Sequence, residues 1–247
     1  MVNFMKLTQI LTEEACSTLS VLDVMASGLV ASCQPVRGGA LDQPSMVAAL
    51  AKACVAGGAK GLRIEGIPDL KAVALEVRVP IIGIIKKRLL DSEICITPNV
   101  DDVVSLAQAG AKVIAVDATN RPRPVPVREL LNAIHQCGCI AMADCSNVDE
   151  AAHAHAMGFD IIGTTLSGYT GGPTPQLPDW QLLDQCVKSG FRVMAEGRYS
   201  TPALAKKAMD MGAWSVTVGT ALTRIETMTA LFVSAIEDPP SELSSIT

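Results

Sequence analysis

Polar side chains stand at the ends of most of the short aliphatic runs in this sequence. The run IIGII is followed by Lys86, and the run RVMAE ends in Glu196. A neutral amine can remove a proton from carbon and a protonated carboxyl can supply one, so this pair could invert a carbon atom if the two groups faced each other. The positions at or just after the ends of the runs are Gln34, Glu65, Lys86, Asp117, Asp144, Thr165, Glu196 and Gly219.

Two glycine-containing segments are candidates for binding a phosphate group. AEGRYSTP (195–202) and TVGTALTR (217–224) each place a glycine at the end of an aliphatic run, ahead of a helical pattern. A glycine lets backbone N–H groups approach an anion, and a helix N-terminus adds a favourable dipole. Either glycine would also suit an ordinary tight turn, so the indication comes from the two segments together.

The elements that must position these groups alternate along the chain. Runs typical of buried parallel strands are separated by Ala- and Leu-rich stretches with helical spacing. The runs are LVASC (29–33), GLRIE (61–65), IIGII (81–85), VIAVD (113–117), IAMAD (140–144), IIGTT (161–165), RVMAE (192–196) and SVTVG (215–219). Such repetition predicts an α/β fold, a (β/α)8 TIM barrel, with catalytic groups at the carboxyl ends of the strands. A doubly wound sheet is the alternative, but its G-x-G-x-x-G turn is missing.

The barrel is expected to occupy residues 29–236. Its third and seventh strands would face each other across the mouth, with Lys86 on one wall and Glu196 on the other. Residues 1–28 are predicted to form a leading helix that covers the bottom, and residues 237–247 a flexible tail rich in proline and serine. For a final helix over residues 221–236, packing on its own barrel is the favoured expectation, and a homodimer contact is the alternative.

The composition limits which binding partners and which cellular compartment are expected. The formal net charge of −5 and the lack of a long Lys/Arg run argue against nucleic acid as a partner, so an anionic ligand should be small. No apolar run reaches the ~20 residues of a membrane span, and no secretory signal is apparent. The 8 cysteines are scattered through apolar segments without a CxxC pair. A cytoplasmic protein with reduced thiols and no membrane partner is expected.

Neither a metal site nor a cofactor is expected from the sequence. His135, His153 and His155 fall on predicted helices, and the spacing of the last two does not bring both rings to one helix face. No nucleotide-binding motif occurs. The loop LSGYTGGPTPQLP (166–178), after the sixth strand, is either a passive connector or a lid over the site.

The strand ends together resemble a known family, the bacterial N-acetylmannosamine-6-phosphate 2-epimerases of sialic-acid breakdown. The segments that carry the resemblance are LVASCQP (29–35), GLRIEG (61–66), PIIGIIK (80–86), VDATNRPRP (116–124), MADCS (142–146), IIGTTLSGYT (161–170), AEGRYSTP (195–202) and VGTALTR (218–224). The resemblance implies a cofactor-independent enzyme that inverts carbon 2 of N-acetylmannosamine 6-phosphate through an enolate. The product would be N-acetylglucosamine 6-phosphate.

The resemblance also implies roles for individual residues. Lys86 would act as base and Glu196 as acid in the direction from the manno sugar. The sugar and its substituents would be held by Gln34, Arg63, Asp144 and Arg224. The phosphate would be held by Gly197, Gly219 and Thr220. Asp144 could orient either the lysine or the acetamido group, and Lys87 would be a solvated flank.

Two alternative interpretations use the same residues differently. A Schiff-base aldolase would also place a lysine at a strand end of a barrel that binds phosphosugars. A non-catalytic sensor of sugar phosphates would need the glycine loops but not the pair of Lys86 and Glu196. Covalent trapping with borohydride distinguishes the aldolase, and deuterium uptake at carbon 2 distinguishes the epimerase.

Overall fold

The chain folds into a closed barrel of eight parallel strands, each hydrogen-bonded to the next in chain order, with the last strand pairing with the first. The computed structural model describes residues 21–237. The strands are β1 (Leu29–Cys33), β2 (Gly61–Glu65), β3 (Ile81–Ile84), β4 (Val113–Asp117), β5 (Ile140–Asp144), β6 (Ile161–Gly163), β7 (Val193–Glu196) and β8 (Ser215–Val218). The predicted (β/α)8 TIM barrel is confirmed.

Helices alternate with the strands, and all but the last of them contribute buried residues to the outside of the barrel. They are α1 (Pro44–Ala56), α2 (Ile67–Glu76), α3 (Val100–Ala109), α4 (Val127–Gln136), α5 (Val148–Met157), α6 (Trp180–Lys188), α7 (Pro202–Asp210), α8 (Thr220–Thr223) and α9 (Ile225–Glu237). The start of α5 is capped by Asn147, whose side chain accepts from the Glu150 N–H. The start of α7 is capped by Thr201. Both caps satisfy backbone groups that a helix end leaves unpaired.

Alternate residues of each strand point to opposite sides of the barrel wall. Leu62 and Ile64 of β2 pack in the apolar layer between strands and helices. Ile82 and Ile84 of β3 belong instead to the cluster inside the barrel, which also contains Met142 of β5. This two-residue period explains why the runs are apolar on both faces, with most of the charged side chains at the strand ends. Arg63 is an exception, because it lies buried in the middle of β2.

The same alternation decides which lysine after β3 faces the interior. Ile82 and Ile84 point inward, so Lys86 is the next inward position and Lys87 falls on the outside. The Lys87 amino group pairs with the Asp102 carboxylate of α3 while 45% of its side chain stays exposed. The expected solvated flank is thus an ion-paired residue of the outer surface.

The bottom of the barrel is closed by residues that precede β1. Residues 21–25 are helical, and Leu22 and Met25 pack into the interior cluster with Val30. The rest of the predicted leading helix, residues 1–20, and the predicted tail beyond residue 237 lie outside the described residues. Within residues 21–237, no helix combines the length and the apolar character needed to cross a membrane.

The final helix differs from expectation. None of the residues of α9 is buried, and its large apolar side chains are exposed, among them Leu231 (58%), Phe232 (67%) and Ile236 (81%). The predicted helix over residues 221–236 is divided between α8, where Thr223 is buried, and α9. For the α9 part, the favoured expectation that it packs on its own barrel is wrong.

Candidate active site

A cavity of about 750 Å³ opens at the carboxyl ends of the strands. Its wall includes most of the predicted site residues. These are Gln34, Lys86, Glu196, Gly197, Gly219, Thr220 and Arg224. Residues from the ends of β1, β3, β7 and β8 are thus brought to one space, as catalytic groups of TIM barrels usually are.

Lys86 is held in place by polar neighbours on the two preceding strands. Its Nζ donates a hydrogen bond of 2.6 Å to Gln34 Oε1, and its backbone N–H donates to Glu65 Oε1 at 3.1 Å. Gln34 Nε2 in turn donates to Ser32 Oγ at 2.7 Å. Because Ser32 fixes the amide of Gln34, the amide oxygen is aimed at the lysine.

The surroundings of Lys86 favour its neutral form. The side chain is reachable from the cavity, but the walls replace most of the bulk water around it, and this burial lowers its pKa from the usual 10.5. The positive charges of Arg63 and Arg224 lower the pKa further, against the opposing effect of Glu65 and Glu196. A lysine with a depressed pKa is suited to act as a base near neutrality.

Beneath the cavity lies a buried ion network that ends at Glu196. Arg63 binds Asp144 with two contacts, Nη2 to Oδ2 at 2.6 Å and Nη1 to Oδ1 at 3.3 Å. Arg63 Nη1 also lies 3.2 Å from Glu196 Oε2. Thr165 Oγ1 donates to Asp144 Oδ1 at 2.6 Å. Arg63 and Asp144, at 1% and 0% exposure, therefore lie under the cavity wall rather than in it.

Glu196 is placed where its carboxyl favours the protonated form. Burial raises its pKa, and the nearby Asp144 carboxylate raises it further, while Arg63 and Lys86 oppose this change. Burial also works to lower the pKa of Arg63, but the carboxylates of Asp144 and Glu196 outweigh it and keep the guanidinium charged. The site thus combines an amine shifted toward its neutral form with a carboxyl shifted toward its acid form.

The two glycine loops meet at the same side of the cavity. Gly197 has a φ of 109°, which L-residues with a side chain rarely adopt, and it opens the turn between β7 and α7. Gly219 links β8 to α8, and a Cβ built on it would lie 3.2 Å from Ser32 Cβ. Backbone N–H groups can therefore approach a ligand closely at both positions.

The loop over residues 166–178 forms part of the cavity wall. Leu166, Tyr169 and Gln176 line the cavity. Arg198 ties this loop to the β7 end, because its Nε donates to Leu177 O at 2.7 Å and its Nη1 donates to Ser167 O at 2.5 Å. The loop therefore borders the site directly, which agrees with the expectation from its length that it has a functional role rather than that of a passive connector.

Several wall residues escape the sequence analysis, notably Ser32, Tyr169 and Thr217. Ser32 and Thr217 each stand two residues before a predicted site residue, on the inward face of a strand, so a strict two-residue period could have found them. Asp117, in contrast, closes β4 but is not part of the wall. Arg121 binds its carboxylate at 2.7 Å, with Arg123 at 3.5 Å. Among the residues that the structure describes, no group of three or more His, Cys, Asp and Glu could hold a metal ion.

Comparison with known proteins agrees with this geometry. A family model described as "Putative N-acetylmannosamine-6-phosphate epimerase" matches residues 47–238. The chain belongs to the N-acetylmannosamine-6-phosphate epimerase family. The family membership that the strand-end segments predict is thereby confirmed.

Individual members of the family match most of the chain. A protein of Photobacterium profundum is 54% identical over 218 residues, which cover 88% of this chain and 93% of that protein. A protein of Haemophilus influenzae is 52% identical over 217 residues, covering 88% and 95%. Both carry the description "Putative N-acetylmannosamine-6-phosphate 2-epimerase".

Solved structures show the same family and fold. The N-acetylmannosamine-6-phosphate 2-epimerase from Clostridium perfringens superposes with a TM-score of 0.84 at 40% identity, covering 87% of this chain and 95% of that chain. Thiamine phosphate pyrophosphorylase from Pyrococcus furiosus, with a TM-score of 0.56 and 15% identity over 81% of this chain and 88% of that chain, shares the fold alone.

Proposed function

We propose that this chain converts N-acetylmannosamine 6-phosphate to N-acetylglucosamine 6-phosphate by inverting carbon 2. The observation that carries the proposal is that Lys86 and Glu196, on β3 and β7, share one cavity with the two glycine loops. Strands three and seven are half a turn apart in an eight-stranded barrel, so the amine and the carboxyl approach a bound ligand from different walls.

The chemistry follows from the acidity of the substrate. When the sugar ring opens, carbon 1 becomes an aldehyde and the hydrogen on carbon 2 becomes acidic. Neutral Lys86 removes this proton and becomes an ammonium ion, leaving an enolate. Protonated Glu196 then supplies a proton to the opposite face of carbon 2 and becomes a carboxylate. In the reverse reaction Glu196 acts as base and Lys86 as acid. Because the aldehyde itself makes the carbon-2 hydrogen acidic, the reaction needs no cofactor.

The remaining predicted residues support this pair in two ways. Gln34 holds the amine, and Arg224 Nε donates to the backbone oxygen of Gln34 at 3.3 Å. Gln34 and Arg224 both line the cavity, which supports a substrate contact for each. Arg63 and Asp144 act mainly through Glu196, whose orientation and pKa they set, and their predicted contacts to the sugar stay a prediction. For Asp144, its bonds to Arg63 and Thr165 favour neither the lysine nor the acetamido group as its target.

The phosphate is held at the ends of β7 and β8. Gly197, Gly219 and Thr220 lie together in the cavity wall, and the backbone at the two glycines is free of side-chain bulk. In α8 the N–H groups of Leu222 and Thr223 already donate to Gly219 O, so a phosphate would accept from the N–H groups of Thr220 and Ala221 at the start of the helix. This arrangement supports a phosphate site on the same side of the cavity as Glu196.

The test is proton NMR in deuterated water with N-acetylmannosamine 6-phosphate. The proposal predicts loss of the carbon-2 proton signal together with appearance of the gluco epimer. Cleavage of the sugar, or a borohydride-trapped adduct on Lys86, would instead support the aldolase. Binding of the substrate with neither exchange nor cleavage would support the sensor.

The proposed enzyme is a cytoplasmic homodimer. The described cysteines are free thiols, which is typical of a reducing compartment. The exposed apolar residues of α9 form a surface that a second copy of the chain can cover. Leu231 of this helix also lies at the cavity wall, so the dimer contact would border the active site.

A further inference from the structure

One buried hydroxyl group in the cavity wall makes no hydrogen bond within the fold. Thr217 is 3% exposed and lines the cavity, yet its Oγ1 has no hydrogen-bond partner. Among residues 21–237, the other buried side-chain atoms without a hydrogen bond are Arg63 Nε and Glu196 Oε2, both in the ion network, where Glu196 Oε2 is still ion-paired with Arg63 Nη1 at 3.2 Å. A buried hydroxyl without a hydrogen bond lowers the stability of the fold. Its presence in a cavity wall therefore indicates a ligand that supplies the missing hydrogen bond.

Other buried hydroxyls on β8 and on the segments next to it donate hydrogen bonds within the fold. Ser215 Oγ donates to Gly28 O at 2.8 Å, and Thr223 Oγ1 donates to Ser32 O at 2.7 Å. Thr164 Oγ1 donates to Glu196 O at 2.8 Å. Thr217 differs from these residues because it faces the cavity rather than a backbone carbonyl.

The position of Thr217 indicates which part of a ligand it would meet. It lies in β8 in register with Glu196 of β7, and it precedes Gly219 by two residues on the same inward face. Its side chain therefore stands between the proton-transferring carboxyl and the phosphate loop. A sugar phosphate that spans these two sites places its hydroxyl-bearing carbons beside Thr217.

We propose that the Thr217 hydroxyl binds the substrate directly, through a hydrogen bond to a hydroxyl oxygen of the sugar chain between the phosphate and carbon 2. This inference rests on the proposed epimerase function and adds a specificity-determining residue to it. A threonine hydroxyl can both donate and accept, as a sugar hydroxyl does, so the pair satisfies both groups. If the contact is to the sugar chain, a phosphate ion alone should gain nothing from this hydroxyl.

The test compares Thr217→Val, Thr217→Ser and a control, Ser215→Ala, by steady-state kinetics and thermal unfolding. Thr217→Val keeps the shape and removes the hydroxyl. It should lower kcat/KM for N-acetylmannosamine 6-phosphate by about tenfold, the effect of about one lost hydrogen bond. Its Tm should be equal to or above that of the wild type, and Thr217→Ser should restore most of the activity. The Ki of inorganic phosphate as a competitive inhibitor should be the same in all variants.

The control should behave in the opposite way. Ser215 lies on the same face of the same strand, but its hydroxyl is bonded at the bottom of the barrel. Ser215→Ala should therefore lower Tm and leave kcat/KM unchanged. An active wild type with unchanged kcat/KM in Thr217→Val would overturn the inference while leaving the epimerase proposal intact. So would a parallel rise in the Ki of phosphate, because the contact would then be to the phosphate. A wild type that exchanges no hydrogen at carbon 2 would overturn the epimerase proposal itself.

Discussion

The amino group of Lys86 lies 2.6 Å from the amide oxygen of Gln34, across the mouth between β3 and β1. The partner of the lysine is thus a neutral acceptor rather than a carboxylate. A neutral acceptor orients the amine without the strong stabilisation of its charged form that an ion pair would give. This choice of partner is consistent with a lysine that works as a base.

Gln34→Glu should lower activity because it favours the protonated, positively charged form of Lys86. A carboxylate at this position would stabilise the ammonium form and raise the pKa of Lys86, opposing the effect of burial. Because the reaction from the manno sugar needs neutral Lys86, the acidic limb of the pH profile of kcat/KM should move to higher pH by about one unit or more. Gln34→Met, which removes the bond without adding charge, should lower the rate but leave that limb near its original position. An unmoved limb in Gln34→Glu would show that Lys86 does not titrate in catalysis.

Asp144→Asn should affect both stability and the basic limb of the profile. The substitution removes the buried carboxylate that pairs with the Arg63 guanidinium. The free energy of unfolding should fall by about 3 kcal/mol or more, because a buried positive charge loses its main partner. Glu196 would lose the effect of the Asp144 charge, so its pKa should fall. Since Glu196 must be protonated to act as acid, activity should then be lost at lower pH than in the wild type.

The control for this prediction is an exposed ion pair. Asp184→Asn breaks the pair with Lys188 on the surface of α6, where solvent screens the charges. Chemical denaturation should show little change for this variant, and its pH profile should match the wild type. Equal stability of Asp144→Asn and Asp184→Asn would contradict the role given to the buried network.

Gly197→Ala should weaken phosphate binding in addition to straining the backbone. The φ of 109° disfavours any side chain, so a loss of about 1–2 kcal/mol in the free energy of unfolding is expected. Gly158, the residue after α5, has a φ of 103° and nothing within 4 Å of a built Cβ. Gly158→Ala should therefore lose similar stability, but only Gly197→Ala should raise the Ki of inorganic phosphate, by about tenfold. A common Ki in the two variants would remove Gly197 from the phosphate site.

The exposed apolar surface of α9 predicts a dimer that one charge can disrupt. Sedimentation velocity should show a dimer for the wild type and a monomer for Phe232→Glu, because Phe232 is 67% exposed in the single chain and its replacement leaves the barrel core intact. Ser234→Glu, on a different side of the same helix, is the matched control and should remain a dimer. A monomeric wild type would be inconsistent with the proposed role of α9.

The strands could be predicted almost residue by residue, because their apolar runs and the glycines and polar groups that bound them are local features. Four of the predicted runs are too long by one or two residues, because β3 ends at Ile84, β6 at Gly163 and β8 at Val218, and β7 begins at Val193. After β3, the Ile85 N–H leaves the sheet and donates to Thr97 Oγ1 at 3.2 Å. Local pattern could not choose between Lys86 and Lys87, whose preceding strand is apolar on both sides. The structure makes the choice through the inward register of Ile82 and Ile84.

The ion network was beyond the reach of local pattern. Arg63 lies in the middle of β2 and Asp144 at the end of β5, 81 residues apart in the chain, and neither position alone indicates the other as its partner. Only the closure of the barrel brings them under Glu196. The exposure of α9 was missed for a related reason, since an apolar helix has the same sequence whether it packs on its own chain or on another.

The roles of Lys86 and Glu196 are tested most directly by proton NMR of carbon-2 hydrogen exchange in deuterated water. The variants Lys86→Met and Glu196→Gln are each measured twice, once starting from each epimer. If the two groups serve opposite faces, Glu196→Gln should still exchange the hydrogen of N-acetylmannosamine 6-phosphate without forming the other epimer. Lys86→Met should exchange only that of N-acetylglucosamine 6-phosphate. Exchange of the manno epimer by Lys86→Met at the wild-type rate would contradict the account.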